Sequence, residues 1–361
     1  MDLTTEVRPG ANRYVSGKGI LKEILQYLSN YEEVVIVTGK TAYQVFCDYY
    51  GSELPFPVHF YDGSASTENG LNIAQNIQKA QVVLAIGGGR VMDTSKVTAQ
   101  ALSADLILVP TLISNCAPYT PVGALYYKDL IFDKVAYFPK ASLLTLVDFE
   151  FLLSTPRPYL VAGIGDTLAK WYEIEGIVRR LDWSSLPASA RLGYVAAKEI
   201  YKILFDDAPN ALEALSQKKV TPAFERIADT IIELSGTVGG FAGAYGRMAG
   251  AHALHNGLSL LTETHCILHG AKVAYGVLVQ LAYTKDYDEI THLLPFYKAC
   301  DLPIHLSELG LSHVSHHLLK PVADFAASSS ETYNLIDPHV TGEKILVALD
   351  SLESLTEQTK Q

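Results

Sequence analysis

An α/β domain followed by an all-helical domain is the fold class this 361-residue sequence predicts. Three observations carry the prediction. Strand-sized apolar runs alternate with helical patterns over the first part of the chain, which is the mark of a sheet with crossover helices. No convincing strand pattern follows Pro156. The length also exceeds that at which a single core stops growing, so two domains are expected.

Taken in order, residues 33–38, 82–86, 105–110 and 142–148 are the clearest strands. They are nearly continuously apolar, as strands covered on both faces are. Helical patterns fill the intervals at 18–28, 69–79 and 91–102. Pro156 and Pro158 bracket Arg157, which places the boundary there and gives domains of 1–156 and 157–361. Beyond it, residues 160–180, 188–205, 209–218, 221–234 and 269–282 read as helices.

Composition removes several classes of function. A formal net charge of −11, with no Lys/Arg cluster, argues against nucleic acid and anionic membranes as partners. Apolar runs such as 82–86 fall well short of the ~20 residues that a membrane-spanning helix needs. The start, Met1-Asp2-Leu3-Thr4-Thr5-Glu6, has no basic and apolar leader pattern. Cys47, Cys116, Cys266 and Cys300 are irregularly spaced and do not read as a disulfide framework. A cytoplasmic protein acting on a small molecule is expected. The cluster His313-Val314-Ser315-His316-His317 reads as solvated and inert.

Two constellations carry chemistry. Gly87-Gly88-Gly89 turns the strand 82–86 into a helix, where glycines admit a pyrophosphate and the helix N-terminus offers N–H groups. The spacing differs from the G-x-G-x-x-G fingerprint, and three glycines alone also suit a tight turn. Asp166, His252 and His269 come from segments far apart in the chain, and one carboxylate with two imidazoles suits a divalent cation of borderline softness. A phosphate cradle with an open metal site is what hydride transfer between a dinucleotide and an alcohol or carbonyl requires.

Asp93 and Lys96 complete a GGG-xxx-D-xx-K pattern, and Pro110-Thr111-Leu112-Ile113-Ser114 supplies a Pro-Thr-x-x-Ser loop. The stretches GIGDTLAKWYE, AHALHNGL and LHGAKVAYGVLVQL, around residues 163–173, 251–258 and 268–281, add to them. Together these resemble the iron-containing alcohol dehydrogenase and glycerol dehydrogenase superfamily over essentially the whole chain, nearest to its hydroxycarboxylate dehydrogenase A branch. The resemblance implies a Rossmann-like N-terminal domain, a helical catalytic domain (the plan shared with dehydroquinate synthase), NAD(P)(H), one divalent metal and a homo-oligomer. It further implies Asp166, His252 and His269 as metal ligands, with Gly39, Gly88, Gly89, Thr111, Ser114, Thr120, Val122 and Tyr126 at the cofactor. His255 becomes a catalytic, proton-relay or structural histidine. Asp93 and Lys96 also suit a helix-dipole carboxylate and its solvated partner. His265 and Cys266, close to His269, are left out of the ligand set.

The chain departs from the family pattern at three positions. Gly39-Lys40-Thr41 stands where NAD-specific members carry an acidic residue, so NADP(H) should be accepted. Cys116 stands where glycerol dehydrogenases have a polyol-contacting aspartate, and it reads as a substrate residue or as packing. Lys170, i+4 from Asp166, replaces the fourth ligand of iron-dependent relatives, which favours zinc over iron. Lys170 either binds a substrate carboxylate or pairs with Asp166 or Glu173. The reading is thus a 2-oxo acid/2-hydroxy acid oxidoreductase, with a glycerol dehydrogenase as the alternative. A dehydroquinate synthase-like lyase and a non-catalytic cofactor-binding protein are the remoter ones.

Overall fold

The computed structural model describes residues 6–129, 131–312 and 316–358. The chain runs β1 (Tyr14–Gly17), α1 (Ile24–Leu28), β2 (Val34–Thr38), α2 (Lys40–Tyr50), β3 (Val58–Phe60), α3 (Thr67–Ile77), β4 (Val82–Gly87), α4 (Gly89–Leu102) and β5 (Asp105–Pro110). β6 (Val122–Tyr126), β7 (Phe132–Tyr137), β8 (Leu144–Asp148) and α5 (Phe149–Leu152) complete the α/β part. Helices follow: α6 (Arg157–Val178), α7 (Ala188–Ser216), α8 (Pro222–Asp229), α9 (Ser235–Ala242) and α10 (Gly250–Leu258). The last are α11 (His269–Tyr283), α12 (Tyr287–Ala299), α13 (His316–Ala326) and α14 (Gly342–Gln358). An α/β region followed by helices is the expected fold class.

The main sheet is six-stranded and parallel in the order β1-β8-β5-β4-β2-β3. Its inner strands β2, β4, β5 and β8 are almost wholly buried and mostly apolar because both faces are covered. Val82, Leu84 and Ile86 of β4 enter one core with Ile36, Phe46 and Leu146. Val83 and Ala85 enter the opposite core with Val37, Met92 and Leu108. The chain leaves β2 toward the β3 edge and leaves β4 toward β5, so the carboxyl ends of β2 and β4 lie at a topological switch point, where such sheets bind ligands.

Several expectations are corrected. β1 and β3 were not anticipated; they are four and three residues long, with no buried position, and give almost no pattern to read. β6 and β7 form a separate antiparallel hairpin, also unanticipated, whose second strand carries Asp133 and Lys134. The helices expected at 188–205 and 209–218 are one helix, α7, with Pro209 inside it. The segment 221–234 starts as α8 behind Pro222 and the cap Thr221, then widens into a π turn at Thr230–Leu234.

Two compact units result, one of Arg8–Leu160 and Asn210–Thr237, the other of residues 6–7, Val161–Pro209 and Val238 onward. The chain thus crosses between them four times, once at Pro209, where the sequence suggested a single cut between 156 and 157. Residues 210–237 join the α/β unit through specific contacts: Tyr14 Oη donates to Asp229 Oδ1 at 2.7 Å, Lys18 pairs with Glu225 at 2.9 Å, and Lys218 Nζ donates to the Leu153 carbonyl at 2.6 Å. No described helix is long and apolar enough to cross a membrane.

Candidate functional site

In the α/β unit, Gly88 caps α4 in an extended conformation, with no side-chain cap on the first turn. The early N–H groups of a helix have no intrahelical partner, so this end suits an anion. Both glycines are closely approached: a Cβ at Gly88 would lie 2.8 Å from Leu112 Cδ1, and one at Gly89 2.7 Å from Asn115 Nδ2, so either side chain would have to shift. Both contacts come from the loop after β5, whose Thr111 N–H donates to the Gly87 carbonyl at 2.9 Å.

Asp93 and Lys96 are buried, not solvated. Lys96 Nζ donates to Asp93 Oδ1 at 2.9 Å and to the Val122 carbonyl at 2.7 Å, while Asp93 Oδ2 accepts from Ala124 N–H at 3.1 Å. The pair therefore ties the start of β6 to α4. Thr120 N–H bonds the Cys116 carbonyl, and the Tyr126 ring stands edge-on to Phe132. Thr111, Ser114, Thr120, Val122 and Tyr126 thus all sit on or just after the loop that follows β5. Cys116 is half-buried in that loop, and a Cβ at Gly236 would lie 3.4 Å from its own Cβ. Gly39 caps α2 at the end of β2, and a Cβ there would lie 2.9 Å from Tyr61 Cε1.

In the helical unit, Asp166, His252 and His269 converge, with one ligand atom from each lying within 4.8 Å of the others. They stand on α6, α10 and α11. Asp166 Oδ1 is 3.3 Å from Nε2 of His252 and 3.3 Å from Nε2 of His269. Gly165 and Gly270 make that approach possible, since a Cβ at Gly270 would lie 1.8 Å from the Ala162 carbonyl oxygen and one at Gly165 2.7 Å from the Gly270 carbonyl oxygen. Asp166 is 4% exposed and its Oδ1 accepts no hydrogen bond among the described residues. An orphaned buried carboxylate oxygen facing two imidazole nitrogens is what a divalent cation would satisfy. The residues fit the metal.

Glu173, on the Asp166 face of α6, was foreseen only as a partner of Lys170, not of His252. Its Oε2 accepts from His252 Nδ1 at 2.8 Å, and its Oε1 accepts from the N–H groups of Ala249 at 2.6 Å and His252 at 3.0 Å. Gln280 Oε1 takes the N–H groups of Gly250 and Ala251. The four orphan donors at the start of α10 are thus satisfied by side chains of α6 and α11, which sets the rotation of α10 and aims His252. A sequence signal existed for Glu173, because i+7 from Asp166 is two helical turns on the same face.

His255 faces His269. Its Nε2 lies 3.0 Å from His269 Nδ1, and its Nδ1 lies 2.9 Å from Asn256 Oδ1. Both nitrogens are engaged, an arrangement that suits a structural or a proton-relaying histidine alike. His265, set aside earlier, bonds the Ser259 carbonyl through Nε2, and Cys266 is exposed. Residues 313–315 of the histidine cluster lie outside the described residues; His317 is exposed.

Electrostatics follow from this crowding. Burial pulls the Asp166 carboxyl up, but His269, His252 and Lys170 outweigh it and hold it well below the usual carboxylate value. Burial would lower His252, yet Glu173 and Asp166 drive it up to about 9. His255 is held well below the usual imidazole value by burial and by the His269 and Lys272 charges, so it stays neutral. Lys170 is 5% exposed and donates to the Arg247 carbonyl at 3.2 Å. It pairs with neither Asp166 nor Glu173 at contact distance, so its charge acts on both through space.

The profile of the iron-containing alcohol dehydrogenase family matches residues 11–147. Hydroxycarboxylate dehydrogenase A of Escherichia coli (strain K12) is 35% identical over 289 residues, covering 78% of this chain and 77% of that protein. Glycerol dehydrogenase of Thermotoga maritima is 33% identical over 367 residues, covering 97% of each. A solved glycerol dehydrogenase from Schizosaccharomyces pombe superposes with a TM-score of 0.86 at 25% identity, covering 99% of this chain and 94% of that one.

Proposed function

The chain belongs to the iron-containing alcohol dehydrogenase family, and we propose that within it the protein interconverts small 2-oxo acids and 2-hydroxy acids with NAD(P)(H) and one divalent metal, zinc. The observation that carries this reading is Lys170, a buried ammonium one helical turn from Asp166 with a single hydrogen bond to a main-chain carbonyl. Beside a divalent cation, Lys170 leaves the group of Asp166, Glu173 and metal with one positive charge in excess. A substrate carboxylate balances it through a charge-assisted bond.

In this reading Asp166, His252 and His269 hold the metal, and Glu173 fixes His252 so that Nε2 points at it. Three protein ligands leave a coordination position for substrate. Lys170 in place of a fourth ligand favours zinc over iron. When bound, the metal supplies Lewis-acid polarisation of the substrate oxygen, while the nicotinamide gives or takes the hydride. Gly88 and Gly89 admit the pyrophosphate at the start of α4, beside Thr111, Ser114, Thr120, Val122 and Tyr126. At Gly39 an added side chain would press on the Tyr61 ring, and Lys40 is exposed next to it. Both features support acceptance of a 2′-phosphate, hence NADP(H).

Interconversion of glycerol and dihydroxyacetone is the second reading, favoured by the likeness to the Thermotoga maritima glycerol dehydrogenase along almost the whole of both chains. Oxidation of NADPH and NADH by zinc-loaded protein, measured against 2-oxobutanoate, 2-oxoglutarate, oxaloacetate and dihydroxyacetone, separates the two. Turnover of a 2-oxo acid with NADPH is expected. Turnover confined to dihydroxyacetone would give the polyol reading, and an NADH preference above about tenfold in kcat/KM, roughly 1.4 kcal/mol, would overturn the cofactor assignment.

A further inference from the structure

His269 is 32% exposed at its side chain and lacks the carboxylate partner that His252 has in Glu173. What backs it instead is a chain of neutral donors and acceptors ending on a buried carboxyl group. Asn256 Nδ2 donates to Glu331 Oε2 at 3.0 Å, which fixes the amide so that Oδ1 faces His255. Asn256 Oδ1 is 2.9 Å from His255 Nδ1, so that nitrogen must carry the proton. His255 Nε2 lies 3.0 Å from His269 Nδ1 and is placed to accept from it. A metal on His269 Nε2, the nitrogen 3.3 Å from Asp166 Oδ1, would leave that ring's one proton on Nδ1, where His255 Nε2 is placed to accept it.

We propose that Glu331, Asn256 and His255 form a positioning chain that holds His269 as the Nδ1–H tautomer, with Nε2 free to ligate the metal. The inference rests on the reading of Asp166, His252 and His269 as a metal site. The chain orients and does not relay protons, because an amide in the middle can accept on oxygen and donate from nitrogen but cannot pass a proton between them without leaving its amide form. His255 is thus a positioning residue. Glu331 reaches the site from 75 residues beyond Asn256, just ahead of the short turn Thr332–Leu335, where Thr332 Oγ1 also bonds the Ala249 carbonyl at 2.8 Å. That second bond anchors the end of the chain to the start of α10.

The test compares Co2+ binding to the full chain and to His255→Leu, His255→Gln and Glu331→Ala, by chelator competition and by the visible d–d spectrum. Glutamine places an oxygen acceptor near the position of His255 Nε2, whereas leucine removes it. His255→Leu and Glu331→Ala should loosen cobalt by about tenfold to a hundredfold and alter its bands, as loss of outer partners does. His255→Gln should stay within about threefold of the parent affinity with an unchanged spectrum. Circular dichroism of each variant checks that the fold is intact. Parent-like affinity and spectrum in His255→Leu, or equal losses in the Leu and Gln variants, would overturn the chain while leaving the metal site standing. Failure of the parent protein to bind stoichiometric cobalt would overturn the metal reading, and the chain with it.

Discussion

The two candidate sites, one in each unit, are built by opposite means. The candidate nucleotide cradle in the α/β unit is built from main chain laid open by small residues: Gly88, Gly89, the loop after β5 and the carbonyl of Val122, pinned by Lys96. The candidate metal centre in the helical unit is built from side chains, most of them held by others, while Asp166 Oδ1 is left without a hydrogen bond. Glu173 and Gln280 cap α10, and Glu331 and Asn256 orient His255. Glycines serve both, but differently. At Gly88 and Gly89 they clear space at the cradle, whereas at Gly165 and Gly270 they let α6 and α11 close until Asp166 and His269 meet. A main-chain site tolerates changes in charge and fails on added bulk; a buried polar centre tolerates neither.

That contrast can be broken from either side. The largest effect is expected from Asp166→Ala, which leaves two imidazoles to hold a divalent cation. Metal retention should be lost, and turnover should fall on the order of a thousandfold, since metal catalysis supplies several kcal/mol. Nucleotide affinity should be unchanged in the same protein. Gly88→Val is the converse: a side chain against Leu112 should weaken NADPH binding by at least about tenfold, roughly 1.4 kcal/mol, with stoichiometric zinc retained. Calorimetry with each ligand on each variant reads both, and loss of both ligands in either variant would erase the distinction.

Smaller changes sharpen it. Glu173→Gln keeps the shape but removes the charge behind His252, and metal affinity should fall by about tenfold to a hundredfold. Lys170→Ala should raise KM for 2-oxo acids by about tenfold or more, the worth of one charge-assisted bond, while KM for dihydroxyacetone stays nearly constant. Equal changes for charged and neutral substrates would make Lys170 structural. The mildest prediction concerns pH. His252 holds its proton up to about 9 in the metal-free protein, and a cation must displace that proton. Zinc affinity should therefore increase with pH below 9, by about tenfold per unit for one displaced proton, and zinc binding at neutral pH should release protons into the buffer. An affinity flat from pH 6 to 8 would contradict this.

The sequence was legible where a function is written in one contiguous stretch. Gly87-Gly88-Gly89 follows a continuously apolar strand, and the turn is where the pattern placed it. Asp166, His252 and His269 were nameable because each lies in a motif of its own, and the helices bring them together. The outer layer was much harder to see. Glu173 has helical spacing from Asp166, but Glu331 lies in a segment with no pattern that points to α10, and without it the bond of Asn256 has no visible partner. The contacts of His255 with Asn256 and His269 were likewise hidden, because only the packing reveals them. Short strands such as β3 escaped because three half-exposed residues carry no period. The return of residues 210–237 to the α/β unit escaped because it rests on long-range bonds such as Tyr14 to Asp229.

The most direct test is a zinc titration of chelator-treated protein, with NADPH oxidation by a 2-oxo acid measured at each point. Activity should be absent at the start, rise linearly and level at one equivalent of zinc, and Asp166→Ala should stay flat throughout. Full turnover in the stripped protein, or restoration of Asp166→Ala by zinc, would contradict a catalytic metal held by Asp166, His252 and His269.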